Sequence, residues 1–226
     1  MAKIYVQEKD KERIARIINS FDLDYSLEKD FVENQNLEGF IFVPSIKLYV
    51  AKEKKFHGKN WFESQKLLHE GREKMLTPYE FVEFLKYSKV NEKGIYNEIT
   101  QVRSPWRAEW LDADFKMKNG VLNINYHVFD DNGKIVEKSE ILDKNTLMKN
   151  KTPGISLDDF VENSHTNQGL PNKNVESGNL YYWAPDKDNN SVAGFVADDG
   201  GADVSCNGDP SDRNGNLGVR AVRHLI

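Results

Sequence analysis

An α+β fold is predicted by three features of this sequence. Residues 60–88 carry two successive helix patterns, each with its own start signal. An Asn-Gly turn at 132–133 separates two apolar-polar alternating runs between 119 and 142. Residues 180–222 break into short apolar segments divided by glycine and small polar residues, as in a turn-rich sheet.

Composition narrows the class before any element is placed. A chain of 226 residues suffices for one large domain with an insertion, and 38% hydrophobic content fits a globular chain rather than a disordered one. A net charge of −5 argues against nucleic acid as a partner, because neutralising phosphates needs a basic surface. A mean hydropathy of −0.67, with no long apolar run, argues against insertion into a membrane. The N-terminus MAKIYVQEKDKERIARIINSF is charged almost from its start, so no secretory signal is expected. Synthesis in a cytoplasm follows, with display on a virion surface compatible with it. A lone cysteine, Cys206, can form neither an intrachain disulfide nor a zinc-binding pair and reads as a small buried thiol.

In chain order, residues 3–22 predict a strand start and then a helix with Ile14, Ile17, Ile18 and Phe21 on one face, within an N-terminal helical extension over 1–38. Gly39–Ala51 reads as one central core strand, crowded with Phe40, Ile41, Phe42, Val43, Ile46, Leu48 and Val50 around Pro44. Asn60 or Lys59 opens a helix through Trp61, Phe62, Gln65, Leu67 and Leu68, and Gly71 stops it. Thr77 then caps a second helix, Pro78 suits its first position, and Glu80 completes a capping box. The hairpin turns at Asp130-Asp131-Asn132-Gly133 and is expected to be an insertion spanning 105–142. Residues 143–178 read as loop with one helical turn near Leu157–Asn163. Short strands follow at Leu180–Trp183, Val192–Ala197, Ala202–Cys206 and Leu217–Val222. From Asp188 to Ile226 there is no Lys, Glu, Gln, Met or Trp, although long charged side chains usually occupy a strand's solvent face.

Two stretches carry a resemblance. Gly58-Lys59-Asn60-Trp61 through Met75-Leu76-Thr77-Pro78-Tyr79-Glu80-Phe81 is similar to the helix pair of lectin-fold proteins related to the formylglycine-generating enzyme. Leu217-Gly218-Val219-Arg220-Ala221-Val222-Arg223-His224-Leu225 looks like the last strand of that fold. It is especially close to the tail of the variable proteins of diversity-generating retroelements. The resemblance covers 39–90 and 178–226; a member from an archaeal virus, carrying the 105–142 insertion, would fit.

The resemblance implies a C-type lectin fold over a single domain, 1–226, with two helices, a short mostly antiparallel sheet and the inserted β-hairpin. It also implies a variable ligand-binding region over 179–223. Such elements randomise template adenines, so that AAC codons become NNC, which never encode Lys, Glu, Gln, Met or Trp. Aligned on Gly218-x-Arg220-x-Val222, the variable positions fall on Tyr182, Ala184, Asp186, Asp188, Phe195, Ala197, Asp198, Asp212, Asn214 and Asn216. Tyr181 stands beside them, and Asp203, Ser205 and Asn207 join by alternation. Tyr182, Asp186, Asp188, Phe195, Ala197, Asp198, Asn214 and Asn216 should then project from one side, with Trp183, Val192, Val196, Val219 and Val222 as scaffold beneath. The implied partner is a protein or cell-surface ligand.

Other chemistries find less support. Asp198, Asp199, Asp203, Asp209 and Asp212 match no calcium loop and read as solvated turn acids. The histidines at 57, 69, 127, 165 and 224 have no metal-ligand spacing. No cofactor motif, nucleophile elbow or phosphate loop occurs, and the reactive cysteine pair of formylglycine-generating enzymes is missing. An enzyme is therefore not expected. A fixed-specificity lectin-like or virion adhesion protein, and an enzyme relative, are the alternatives to a variable protein.

Overall fold

Helix starts and tight turns are set by local chemistry, and they fall where the residues place them. The structure, a computed structural model, describes residues 37–101, 104–186 and 190–224. The helix expected over 3–22 lies outside the described residues, as do Lys187 and Asp188.

Within the compact unit Gly39–Ile226, the elements in chain order are β1 (Phe40–Val43), β2 (Leu48–Lys55), α1 (Trp61–Glu70), β3 (Lys74–Met75), α2 (Pro78–Asn91), α3 (Lys93–Thr100), β4 (Arg107–Lys118), β5 (Val121–Phe129) and β6 (Ile135–Ile141). Then come β7 (Lys151–Ile155), α4 (Leu157–Glu162), β8 (Leu180–Trp183), β9 (Ser191–Ala197), β10 (Ala202–Gly208) and β11 (Leu217–Arg223). The architecture is mixed α/β: four helices among the described residues, and one large open sheet of eleven strands. The main path runs β1-β2-β11-β4-β9-β10-β8-β7, with β3 paired to β11 and the β5–β6 hairpin attached to β4. Most pairings are antiparallel; β11–β4 and β10–β8 are parallel. The sheet is therefore much larger than the short one expected.

Asn60 caps α1 by accepting from Glu63 N, and Thr77 caps α2 by accepting from Glu80 N; each glutamate returns the bond, completing a capping box. Each box satisfies amides that a helix start leaves without intrahelical partners. The Asp130–Gly133 turn forms because the Asp130 carboxylate accepts from the backbone N of Asn132 and of Lys134, at 2.9 and 2.8 Å.

Three expectations need correction. Residues 143–178, read as loop with one helical turn, also hold the strand β7, which pairs with β8. Gly39–Ala51 is not one central strand: the chain turns after Val43, and β1 pairs antiparallel with β2 as the edge of the sheet. Pro44, which donates no backbone hydrogen bond, sits where the ladder stops. The segment 105–142 is not all inserted hairpin either. Residues 121–141 form the hairpin, but β4 lies at the centre of the sheet between β11 and β9. Its sequence RAEWLDADFKMK looks solvent-exposed, yet Arg107, Glu109, Asp112 and Asp114 are buried. They tolerate burial because they are paired: Glu109 lies 3.1 Å from both Arg107 Nη2 and Arg220 Nε, and Asp112 is bonded to His127.

The sheet is covered on both faces along much of its width. On the inner face Phe81, Phe84 and Leu85 of α2 and Phe160 of α4 pack with Phe195, Tyr182, Leu180, Val204 and Cys206. On the outer face Trp61 and Leu68 of α1 pack with Ala108, Trp110, Val192, Leu217 and Val219. α1 covers only the β2–β11–β4 side of that outer face, and this asymmetry positions the candidate site.

Candidate ligand-binding face

Strand register decides which side chains share a face. One row across five strands runs Val219, Trp110, Gly194, Ser205, Trp183, and the next runs Leu217, Ala108, Val196, Asp203, Tyr181. Both begin in the core under α1 and end in the open. Val219 is fully buried and Trp110 nearly so, Ser205 is half-buried, and Trp183 is 36% exposed. Likewise Leu217 and Ala108 are buried, whereas Val196, Asp203 and Tyr181 are half-buried. Trp110 marks the boundary. Its indole packs on the backbone of Gly194 and beside Gly208, and its Nε1 donates to Lys59 O at 3.3 Å, just ahead of α1. Beyond that indole, Tyr181, Trp183, Asp203 and Ser205 form a half-exposed strip that none of the described helices covers, with exposed Asn207 continuing it.

The interleaved positions face the other way. Tyr182, Phe195 and Ala197 have no exposed surface and belong to the inner core. The positions expected on β8 and β9 therefore point inward, and their neighbours, one residue along the strand, face outward. The outward face keeps Tyr181, adds Trp183 and Val196, and loses Tyr182, Phe195 and Ala197. Trp183 and Val196, expected to lie beneath, are on this surface, whereas Val192, Val219 and Val222 are buried. On β10 the alternation holds, with Asp203, Ser205 and Asn207 outward and Val204 and Cys206 inward.

Hydrogen bonds fix the edges of the strip. At the Tyr181 end, Asp198 Oδ1 accepts from the backbone N of Gly200 and Gly201, at 2.7 and 3.1 Å, holding the β9–β10 turn. A cavity of about 260 Å³ opens there, lined by Tyr181, Asn179, Gly200, Gly201 and Thr100 among others. At the far end Ser205 Oγ donates to Asn207 Oδ1 at 3.0 Å. Asp186 N donates to Ser191 Oγ at 3.2 Å, and Ala184 N donates to Asn150 Oδ1 at 2.9 Å. Ala184 and Asp186 are half-buried beside the strip, at the end of β8.

The 209–216 loop is held against the start of α1. Trp61 N donates to Pro210 O, Gly58 N to Asn214 O, and Arg213 Nη1 lies 2.8 Å from Glu63 Oε2. Asp209 accepts from Ser211 N and Oγ, which lower its pKa, and Asn214 Oδ1 accepts from Asn216 N. Asp212 is exposed, and Asn214 and Asn216 are half-buried. Lys54 Nζ donates to Ala108 O at 2.9 Å and Asn216 O at 3.3 Å, tying this loop to β4. Burial lowers the Lys54 ammonium to about 8, and the nearby Arg107 cation adds to the effect.

Electrostatically the strip is acidic around an unusual carboxyl. Burial, reinforced by the charge of Asp198, pushes Asp203 up to about 7, and its Oδ1 is buried with no hydrogen-bond partner among the described residues. No group of three or more His, Cys, Asp or Glu among the described residues could hold a metal ion. Cys206 is fully buried beside Tyr182, and burial raises its thiol far above the ordinary range, which removes it as a nucleophile. What the strip offers chemically is a rigid sheet surface with two aromatics, small hydroxyl and amide groups, and acid. Sequence reasoning missed Trp183 and Val196; the outward alternation of Asp203, Ser205 and Asn207, carried across β10 to its neighbours, was the signal that would have found them. No protein-family model, curated protein or solved structure matches the chain.

Proposed function

We propose that the protein is a ligand-binding module that presents the outer face of β8–β10 to a protein or cell-surface ligand. The observation that carries this reading is the strip itself: Tyr181, Trp183, Asp203, Ser205 and Asn207 side by side beyond the edge of α1. Aromatics give large contact area at low entropic cost, and Ser and Asn adapt their hydrogen bonds, the same division of labour that antibody loops use. The backbone beneath is held by the buried side chains of Tyr182, Val204 and Cys206, so changes on the outside leave the frame intact.

Its finer form is a variable protein of a diversity-generating retroelement on a C-type lectin scaffold. The order of elements, the Leu217–Leu225 tail and the absence of Lys, Glu, Gln, Met and Trp after Lys187 support it. Diversifiable positions are then Tyr181, Asp203, Ser205, Asn207, Asp212, Asn214 and Asn216, with Ala184, Asp186 and Asp198 at the margin. Tyr182, Phe195 and Ala197 are excluded, because core positions do not tolerate arbitrary replacement.

Sequencing the genomic locus tests this. A neighbouring reverse transcriptase and an adenine-rich near-copy of codons 180–222 are expected, with mismatches at the outward codons and none at 182, 195 and 197. Mismatches concentrated on the inward codons would refute the face. Absence of both features leaves a binder of fixed specificity. That second reading is favoured by Trp183, which NNC codons never encode and which is an exposed aromatic of the strip.

A further inference from the structure

A cavity of about 420 Å³ lies between the C-terminal end of α1 and the β5–β6 turn, lined by His69, Arg72, Asn132, Gly133, Lys134 and Ile135. It is at the opposite end of α1 from the 209–216 loop, which meets the helix at Trp61. The volume is within the roughly 300–1,000 Å³ typical of small-molecule sites.

The lining has a one-sided chemistry. Among the described residues its polar side chains are an imidazole, a guanidinium, a carboxamide and an ammonium, all able to donate, with no carboxylate beside them. Among the described residues the side chains of Arg72, Asn132 and Lys134 have no hydrogen-bond or ion-pair partner, and His69 Nε2 is buried without one. A buried, unsatisfied ring nitrogen is costly unless something occupies the space beside it.

The wall is built rather than incidental. Arg72 follows the Gly71 cap with φ +56°, a left-handed conformation that side chains rarely adopt, and its backbone N donates to His69 O. Lys134 and Asn132 are presented by a turn whose amides the Asp130 carboxylate clamps. The His69 ring stands edge-on to His127 at 4.7 Å, and His127 is itself fixed by Asp112, 3.1 Å from its Nδ1.

We infer that this cavity binds a phosphate-bearing small molecule, with Arg72 and Lys134 neutralising the phosphate and His69 Nε2 and Asn132 donating to it. Two full cations from two separate elements match a dianion better than a single carboxylate. The remaining volume accommodates the rest of the molecule. Burial, and then the neighbouring His127, depress the His69 pKa; Lys74 adds to this and Asp112 opposes it. A bound dianion favours the protonated ring, so binding draws a proton onto His69, in competition with the ligand's own second protonation at about pH 6.

Titration calorimetry of the full chain with inorganic phosphate and with glycerol phosphate, against chloride at matched ionic strength, tests the site. Saturable binding is expected. Arg72→Gln and Lys134→Gln, both at exposed positions, should each weaken it about tenfold or more without shifting the melting temperature. His69→Gln should weaken binding and lower the number of protons taken up with the ligand, read from the heats in buffers of different ionisation enthalpy. Equal affinity for the two ligands assigns phosphate itself, and tighter glycerol phosphate binding assigns a phosphate monoester. Heats no different from chloride, a preference for acetate, or unchanged binding in both cation variants overturn the inference.

Discussion

Truncating Tyr182 to alanine and Trp183 to alanine should have opposite consequences, although the residues are adjacent in one strand. Tyr182 has no exposed surface and sits among Phe195, Val204 and Cys206 in the inner core. A buried aromatic removes roughly 150–250 Å² from water, worth about 4–6 kcal/mol at ~25 cal/mol per Å². Alanine keeps a little of that and leaves a cavity, so a cost of about 3–5 kcal/mol is expected. At roughly 2–4 °C per kcal/mol for a domain of this size, the melting temperature should fall on the order of 10 °C. Trp183 is 36% exposed at the end of its row, so its truncation should cost about 1 kcal/mol while reducing ligand affinity strongly. Urea and thermal unfolding of the two variants at one pH, followed by circular dichroism, gives the comparison directly. Equal losses of stability, or a larger loss for Trp183→Ala, would show that inward and outward residues of β8 have been exchanged.

Other perturbations probe the rest of the structure. Asp203 has its folded pKa raised from 3.8 to about 7, so the stability it contributes is fully present below about pH 4 and is lost as pH rises through 7. Asp203→Asn should therefore gain on the wild type between pH 4 and 8, by on the order of a few kcal/mol; parallel pH–stability curves would contradict this. Glu109→Gln leaves the buried guanidiniums of Arg107 and Arg220 undercompensated and should cost roughly 3–5 kcal/mol in chemical denaturation, more than any change on the outer strip. Gly169→Ala should destabilise by more than about 1 kcal/mol, since φ is +79° and a Cβ would stand 2.1 Å from Tyr79 N; a neutral effect would mean the 165–170 turn does not pack on α2 as described.

Much of the architecture was legible in the chain because its signals are local. Asn60 and Thr77 with their glutamates, Asp130 through Gly133, and Ser156 at the start of α4 satisfy backbone amides within a few residues. The closing strands were readable as well, with β8 at Leu180–Trp183 as expected from its turns. The centrality of β4 was hidden. Its charged residues argue for solvent, and the partners that permit burial, Arg220 and His127, come from β11 and β5.

Facing was the property that sequence alone left open. β9 reads Ser-Val-Ala-Gly-Phe-Val-Ala and is buried at every position except Val196, because helices or their neighbours cover both of its sides. A strand apolar on both faces has no alternation contrast from which to choose a phase, so an alignment gap of one residue inverts it without penalty. β10 does have contrast, and there Asp203, Ser205 and Asn207 were identifiable as outward from the chain itself. Composition, turns and caps thus determined the two capped helices, the hairpin, the closing strands and where the unusual residue usage begins. Which residues that usage displays was decided only when α1 stopped at Trp110 and left β10 and β8 uncovered, a boundary set by packing between segments distant in sequence.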